Sequence, residues 1–168
     1  MTENRIHILT DSSGSWQVSL YPPDERPEGE PHGSEAIIMI DDQQTVLVRN
    51  VDGRLNTPGG HPEPGESSEE TMIREVREEA CAEVTSWTPI AFARSEKLDG
   101  DNAGFAMVRD MYVARVVLLP WEQPAFEIVE RMVVDLDDLV EIMSADWPGL
   151  DDFSAELVEL ARDALQDI

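Results

Sequence analysis

Positive charge is scarce in this sequence of 168 residues. It has 12 lysine and arginine residues against 36 aspartate and glutamate residues, which gives a formal net charge of −24. Lys97 is the single lysine, and the other basic residues are arginines. A surface this acidic repels nucleic acids and anionic membranes, so we expect neither as a partner. The acidity fits adaptation to high salt or a GC-rich genome of acidic habit, and composition does not separate the two.

Cysteines and long apolar runs are also scarce. Cys81 is the single cysteine, so the chain forms no internal disulfide, which fits a reducing compartment. No apolar run approaches the roughly 20 residues needed to cross a bilayer. The N-terminus lacks the basic and apolar segments of a signal peptide. We therefore expect a cytoplasmic protein with the size of one compact domain.

The N-terminal segment is too short to form a core of its own. Residues 5–9 and 16–21 have the composition of short strands. Residues 22–33 are rich in Pro, Gly and Glu, which predicts an exposed connection. We expect residues 1–33 to pack on the main body, residues 34–168, or to pair with a second copy in a homodimer.

The rest of the sequence predicts a body that mixes strands and helices. Its apolar patterns indicate a hairpin, a glycine-rich loop, a helix, two long strands, a short strand leading into a helical turn, and a final helix. These elements are predicted, in that order, over residues 35–49, 57–65, 67–80, 83–119, 130–143 and from 151 onward. Ser67 and Glu70 have the spacing of a capping box at the start of the first helix.

Three glutamates share one face of that helix. Glu75, Glu78 and Glu79 follow an i, i+3, i+4 spacing, so their carboxylates project together. Left alone they would repel one another, and at least one would be driven towards its neutral form. A hard divalent cation, Mg²⁺ above all, would supply the counter-charge. Arg74 can hold one of the carboxylates in place by a charge-assisted hydrogen bond.

The segment 60–81 resembles the Nudix box. Gly60, Glu66 and Arg74 have the spacing of its first positions, and the run Arg-Glu-Val-x-Glu-Glu follows in register. The Pro-Gly-Gly that ends at Gly60 is similar to the lead-in common in that family. Coverage extends from about residue 34 to residue 143, because an acidic strand and a short helix similar to those of the family follow the box.

The end of the segment departs from the box. Ala80 stands at the glycine position, and Cys81 stands at the aliphatic position that follows. Glycine would suit a left-handed residue that ends the helix, and alanine in that conformation costs about 1 kcal/mol. The carboxylates are untouched, so we expect a change at the helix end and not in the chemistry.

The resemblance implies both a fold and a reaction. The fold is α+β, a Nudix-type α/β/α sandwich with a mixed β-sheet, to which short N-terminal strands are added. The reaction is hydrolysis of the diphosphate linkage of a nucleoside diphosphate derivative by attack of water on phosphorus. Mg²⁺ or Mn²⁺ is the implied cofactor, and its implied ligands are Glu75, Glu78, Glu79 and the Gly60 carbonyl.

Further roles follow from the same resemblance. Arg74 would orient the glutamates, and Glu66 would support the loop or contact a ligand. The general base stays open between a box glutamate and three later acids, Glu122, Glu127 and Glu130. Against so acidic a background some basic residues should meet substrate phosphate, although a surface ion pair is the commoner use of each. The candidates are Arg49 and Arg54, with Arg94, Lys97 and Arg109 behind them.

Two other functions stay open from the sequence. The first is a catalytically silent Nudix domain that binds a nucleotide and regulates a partner. The second is an acidic binding module in which the box is a coincidence. The complete glutamate trio favours the enzyme, because a pure binder has no need of carboxylates that repel its ligand. The leaving moiety stays open. Trp16 or Trp121 could stack on a base, although core packing is the commoner use of tryptophan.

Overall fold

A computed structural model describes residues 5–124 and 127–168 of the chain. Within these residues the strands are β1 (Ile6–Asp11), β2 (Gly14–Tyr21), β3 (Glu30–Met39), β4 (Gln44–Asn50), β5 (Leu55–Asn56), β6 (Gly59–Gly60), β7 (Ala82–Lys97), β8 (Ala106–Leu118) and β9 (Ile128–Asp135). The helices are α1 (Ser68–Ala80), α2 (Leu139–Asp146) and α3 (Asp151–Ala164), with single 3-10 turns at Leu136–Asp138 and Leu165–Asp167.

The strands form one mixed sheet with helices on both faces. Its order is β1-β2-β7-β8-β3-β4-β5, while β6 pairs with β3 and β9 pairs with β4. The pairing of β3 with β8 is parallel, and the other pairings are antiparallel. Side chains of α1 are buried against one face, and those of α2 and α3 against the other. The predicted α/β/α sandwich of the α+β class is therefore confirmed.

Each face of the sheet has its own apolar core, because neighbouring side chains along a strand point to opposite faces. Ile37 and Met39 of β3 pack towards α2 and α3, whereas Ala36 and Ile38 pack towards α1. A strand buried on both faces appears in the sequence as a continuous apolar run, which is what residues 36–40 show. In the part of the chain described, no helix is long and apolar enough to cross a membrane.

The N-terminal hairpin extends the sheet instead of forming a separate layer. β2 pairs with β7 from Trp16, opposite Lys97, to Tyr21, opposite Phe92. On β1, the buried His7 ring lies 3.4 Å from the Glu156 carboxylate of α3. Residues 1–4 lie outside the described part of the chain. The division of the chain at residue 33 stays a prediction, although β3 already begins three residues earlier.

One local prediction about β3 was wrong, and another was confirmed over a shorter length than expected. Its first residues were expected in an exposed connection, because Pro and Gly are typical of turns. The strand nevertheless includes Pro31 and Gly33, and a register irregularity between Pro31 and Ser34 accommodates them against β8. The predicted hairpin with β4 is reduced to the pair Met39 and Thr45. Beyond that pair the strands separate, since β4 pairs with β9.

The start of α1 agrees with the sequence, and its end does not. Ser67 accepts a hydrogen bond from the Glu70 backbone N–H, and the Glu70 carboxylate accepts one from the Ser67 backbone N–H, so the capping box is confirmed. The left-handed residue is Cys81, with a φ of 48°, and not Ala80. Ala80 stays helical because its methyl group is fully buried against the sheet. The conformation that favours glycine has therefore moved one residue along the chain.

Candidate active site

Helix α1 places its carboxylates at graded depths. Met72, Val76 and Ala80 are fully buried against the sheet, and they fix the rotation of the helix about its axis. On the remaining surface the Glu75 side chain is 13% exposed and the Glu78 side chain is 58% exposed. The two predicted ligands therefore differ in how readily solvent reaches them.

Arg74 is the centre of a hydrogen-bond network that joins the loop to the helix. Its Nε and Nη2 atoms donate to the two Glu66 carboxylate oxygens over 2.7 and 3.0 Å. Its Nη1 atom donates to Glu75 over 2.9 Å and to Glu78 over 3.1 Å. Nη2 also donates to the His61 carbonyl over 2.9 Å. The predicted orienting contacts of Arg74 are thus present in the structure.

Glu66 supports the loop by accepting hydrogen bonds from three sides. Besides Arg74, its carboxylate accepts from the Glu63 backbone N–H over 2.8 Å and from the Thr71 hydroxyl over 3.1 Å. The hydrogen bonds from Arg74, and then the one from Glu63, lower the pKa of Glu66 to about 2. The same contact with Glu66 raises the pKa of Arg74. Glu66 therefore acts within the protein, as a fixed anion that positions Arg74.

Glu79 is the carboxylate with the most unusual environment. Its Oε2 atom accepts a hydrogen bond from the Gly59 backbone N–H over 3.0 Å. Burial and the negative charges of Glu75, Glu35 and Glu127 raise the pKa of Glu79 to about 7, although the hydrogen bond from Gly59 opposes this. Several carboxylates are therefore held near one another at a position with little access to water.

The two loop glycines are required by close backbone approach. A Cβ atom on Gly60 would overlap the Glu75 carboxylate, and one on Gly59 would overlap the backbone of Ser34 and Glu35. The Gly60 carbonyl oxygen in turn lies so close to Gly33 that no side chain fits at Gly33 either. Short pairing between β6 and β3 holds this arrangement. The glycine loop is therefore packed directly against the carboxylates of α1.

The donor set suits a hard divalent cation. Carboxylate and carbonyl oxygens are the ligands that Mg²⁺ and Mn²⁺ take in proteins, and burial together with the neighbouring acids raises the pKa of Glu79. Among the described residues, no three carboxylate, imidazole or thiol side chains already converge as a metal cage. Glu75 and Glu78 both contact Arg74, so each would have to turn from the arginine to act as a ligand.

The three later acids occupy different positions. Glu127 follows the loop before β9, and its charge acts on the pKa of Glu79. Glu130 forms an ion pair with Arg49 at 2.7 Å. The Glu122 carbonyl accepts a hydrogen bond from the Cys81 thiol. Of the three, Glu127 is therefore the acid that is linked to a box carboxylate, through its effect on the pKa of Glu79.

A cavity of about 380 Å³ is linked to the box carboxylates through one residue, Glu35. Glu35 connects the two regions, because it lines the cavity and its charge acts on Glu79. The Glu35 carboxylate accepts hydrogen bonds from the Thr57 hydroxyl and, over 2.7 Å, from Arg109. Thr57 and Arg109 line the cavity as well. A cationic group thus faces the cavity on the side of the acidic helix.

The inner walls of the cavity are mostly apolar and aromatic. They are formed by residues of both the N-terminal hairpin and the C-terminal helices, among them Leu9, Trp16, Val18, Met143, Trp147 and Phe153. His32 also lines the cavity and meets the His61 ring edge to face, with ring centres 4.6 Å apart. Burial, followed by the charges of Arg109 and His61, lowers the pKa of His32. The cavity lining accordingly combines a few charged side chains with many apolar and aromatic ones.

Arg49 and Arg54 have partners other than the box carboxylates. Arg49 donates to Glu130 and to the Gly53 carbonyl, while the Arg54 guanidinium lies over the Trp147 ring at 4.5 Å from its centre. Neither arginine is among the described residues that line the cavity. Their role in substrate binding stays a prediction, whereas Arg109 lines the cavity and pairs with Glu35.

Sequence reasoning did not single out Glu35, Asn56, Thr57 or Trp147 as site residues. Glu35 appeared only as the first residue of an apolar strand, and its place beside Glu79 depends on the pairing of β3 with β6. Asn56 and Thr57 directly precede the Pro-Gly-Gly lead-in, and that adjacency was the available signal. Trp147 lies some ninety residues further along the chain, and only tertiary packing brings it to the cavity.

Fold and site together define a class, an α/β/α sandwich with a glutamate-rich helix beside a glycine loop. The family model for the NUDIX domain matches residues 30–162, which is most of the chain. The chain therefore belongs to the Nudix hydrolase family. The box departs from the family pattern at Ala80 and Cys81, as described above.

Similar proteins agree with this family. The chain is 36% identical over 76 residues to an NAD-capped RNA hydrolase, NudC, of Pseudomonas putida, which is 42% of this chain and 28% of that protein. A mutant of the Bacillus subtilis pyrophosphohydrolase BsRppH superposes with a TM-score of 0.69 at 21% identity, covering 91% of this chain and 96% of that one. A NUDIX hydrolase of Nitrosomonas europaea gives 0.62 at 22% identity, covering 80% and 91%. The two structures show the shared fold. The match to NudC spans less than a third of that relative.

Proposed function

We propose that this chain is a metal-dependent pyrophosphohydrolase that cleaves the diphosphate linkage of a nucleoside diphosphate derivative. The observation that carries the proposal is the link that Glu35 makes between the cavity and the acidic helix. Glu35 lines the cavity, binds Arg109, and its charge acts on the pKa of Glu79. A diphosphate held by Arg109 would therefore meet the acidic helix across Glu35. Family membership and the pyrophosphohydrolase named among its structural neighbours agree with this reaction class.

In the proposed reaction, water attacks one phosphorus atom of the diphosphate. A new P–O bond forms to the water oxygen, the bond from phosphorus to the bridging oxygen breaks, and the leaving phosphate keeps the electron pair. A carboxylate takes the proton that the water loses. Glu127 and the box glutamates are the candidates for that base, and Glu127 is supported by its proximity to Glu79. Arg109 would hold the phosphate oxygens opposite these acids.

The carboxylates need a cation for this task, since on their own they repel a phosphate. Glu75, Glu78, Glu79 and the Gly60 carbonyl are the proposed ligands of Mg²⁺ or Mn²⁺. Such an ion would neutralise charge on the phosphate oxygens and lower the pKa of the attacking water. Arg74 and Glu66 hold the helix and loop in register so that the ligands remain near one another.

We further propose a small molecule as substrate and not a nucleic-acid polymer. A net charge of −24 opposes a polyanion, and Arg109 is the basic residue that lines the cavity within the described part of the chain. A cytoplasmic location is consistent with the single cysteine. A homodimer is proposed on weaker grounds, namely that β1 lies at an edge of the sheet.

The test is product release from a panel of compounds with Mg²⁺ or Mn²⁺. The panel contains ADP-ribose, nucleotide sugars, dinucleoside polyphosphates, nucleoside triphosphates, and NAD both free and as a cap on a short RNA. We expect turnover of at least one small compound and a loss of about 100-fold or more in kcat with Glu79→Gln. Glu69→Gln is the matched control, because Glu69 is an exposed acid on the same helix and should leave kcat unchanged.

The outcomes separate the proposal from its alternatives. Turnover that Glu79→Gln removes and Glu69→Gln preserves supports the reaction and names the substrate class. Binding of a panel compound without turnover, in both Mg²⁺ and Mn²⁺ and at low and high salt, would favour a nucleotide-binding regulator. Equal loss of turnover in both variants would mean that the general acidity of the helix matters and not the ligand set.

A further inference from the structure

Asn56 is a polar side chain without a partner in an otherwise well-satisfied interior. It lines the cavity, and its Nδ2 atom is shielded from solvent. This amide nitrogen finds no hydrogen-bond acceptor among the residues that the structure describes. It is also the single buried side-chain nitrogen or oxygen in that part of the chain with this status. Buried polar groups in native proteins nearly always have partners, so an unpaired nitrogen in a residue that lines a cavity indicates that this carboxamide turns towards a group bound there.

The residues around Asn56 form a fixed frame. The preceding Leu55 donates its backbone N–H to the Asp146 carboxylate over 2.8 Å and accepts a hydrogen bond from the Trp147 indole over 3.2 Å. The Arg54 guanidinium covers Trp147 at 4.5 Å from its ring centre. The following Thr57 donates to Glu35. Because both neighbours of Asn56 have polar partners, its open carboxamide is a local exception.

A second tryptophan at the cavity is held in the same way. The indole of Trp16 donates to the Ser13 hydroxyl over 3.0 Å, and the Lys97 ammonium lies 4.7 Å from its ring centre. Lys97 is kept there by a hydrogen bond to the Ser13 carbonyl and by Asp99. Both tryptophans thus have satisfied N–H groups and a cation against the ring. Their role at the cavity is reduced to apolar and aromatic contact.

We propose that Asn56 determines specificity by hydrogen bonding to the edge of a nucleobase bound in this cavity. A nucleobase combines a flat aromatic face, which suits the tryptophan-lined walls, with acceptors and donors on its edge. A carboxamide has both a donor and an acceptor and can pair with such an edge. The cavity of about 380 Å³ is within the range of small-molecule sites. Arg109, which lines the same cavity, would face the phosphates of this ligand.

The inference rests on the proposed function, since it assigns the base end of the same substrate. Its test uses binding, which does not require turnover. Titration calorimetry without divalent metal compares AMP, GMP, CMP and UMP with ribose 5-phosphate, which lacks a base. The proteins are the wild type, Asn56→Leu, Asn56→Asp and Glu79→Gln. Thermal unfolding of each variant confirms that it is folded, and Asn56→Leu should melt no lower than wild type because it removes an unpaired buried group.

We expect the wild type to bind at least one nucleotide roughly tenfold or more tighter than ribose 5-phosphate. Asn56→Leu should remove that preference and leave the affinity for ribose 5-phosphate unchanged. Asn56→Asp, which keeps the shape but loses the N–H donor, should change which base is preferred. Glu79→Gln should keep the base preference while losing hydrolysis, because the two groups act on different parts of the ligand.

Two results would overturn the assignment. One is a wild type with no preference for any base over ribose 5-phosphate, and the other is an Asn56→Leu variant that retains the wild-type preference. Failure of the proposed function is recognised separately. Base preference that depends on Asn56, without hydrolysis of any panel compound, would leave this inference standing and remove the enzyme. If the protein hydrolyses a panel compound and Asn56→Leu leaves the base selectivity in kcat/KM unchanged, the proposed function stands and the role of Asn56 is removed.

Discussion

Arg74 shares one positive charge among several carboxylates. Its guanidinium binds Glu66 through two nitrogens and contacts Glu75 and Glu78 through the third. A bidentate pair has a defined geometry, whereas single contacts at an exposed side chain contribute little. The pair with Glu66 should therefore dominate local stability, and the contact to the exposed Glu78 should be readily exchanged for another partner.

Replacing Glu66 by glutamine should make the free energy of unfolding less dependent on pH below 4.5. The pKa of Glu66 is lowered from 4.5 to about 2 in the folded protein, so its contribution is fully present above 4.5 and is lost as the pH falls towards 2. Glu66→Gln should unfold at lower urea than wild type near neutral pH. The difference should shrink between pH 4.5 and pH 2. Urea unfolding at a series of pH values measures it.

Glu63→Gln is the control for that comparison. Glu63 is exposed, and it contacts Glu66 through its backbone N–H, which the substitution preserves. Its unfolding midpoint should follow that of wild type at every pH. A gap between Glu66→Gln and wild type that stays constant down to pH 2 would show that packing, and not the Arg74 ion pair, accounts for the effect of Glu66.

At the scale of the element, burial at the end of α1 determines which residue adopts the left-handed conformation. The helix continues through Ala80 because the residue is fully buried against the sheet, where a small side chain packs well. The chain must then reverse into β7, and Cys81 adopts the left-handed conformation to do so. The Cys81 carbonyl is held by the Leu119 backbone N–H and by Arg131, which fixes the turn.

Glycine should therefore have opposite effects at these two neighbouring positions. Ala80→Gly should lower the free energy of unfolding by roughly 0.5–1 kcal/mol, because glycine weakens a helix. Cys81→Gly should be more stable than Cys81→Ala by about 1 kcal/mol, because glycine adopts a positive φ without strain. Chemical unfolding of the three variants measures both differences. A Cys81→Ala variant as stable as Cys81→Gly would show that the strain at Cys81 is relieved elsewhere.

At the scale of the whole molecule, net charge and local charge act in opposite directions on the substrate. The net charge of −24 repels any phosphorylated ligand, while under the proposed function Arg109 attracts it within the cavity. Salt screens long-range interactions between exposed charges more than contacts that are partly buried. The long-range repulsion should therefore weaken first as ionic strength rises.

We predict that KM for the best substrate falls as NaCl increases from about 50 mM to about 500 mM. Steady-state kinetics over this range tests it, with the melting temperature recorded in the same buffers to separate binding from folding. A KM that rises steadily with salt would show that the attraction of Arg109 outweighs the net charge of the molecule.

Local patterns predicted the elements and the motif because those depend on residues close in sequence. The capping box at Ser67 and Glu70, the apolar side of α1 and the glutamate spacing follow from the helical repeat. The inclusion of Pro31 and Gly33 in β3 could not be predicted in this way. Both residues favour turns locally, and the parallel pairing with β8 overrides that preference.

By itself the sequence determined the family and identified the candidate metal-binding glutamates. Both follow from the box in residues 60–81, which is a short continuous pattern. The tertiary structure decided which residues surround that pattern. Asn56 and Arg109 meet at one cavity only because strands distant in sequence share a sheet. Arg49 and Arg54, equally plausible in sequence, do not line the cavity, although the Trp147 ring beneath Arg54 does. A basic side chain carries no local signal of its partner, because the partner is fixed by contacts between distant parts of the chain.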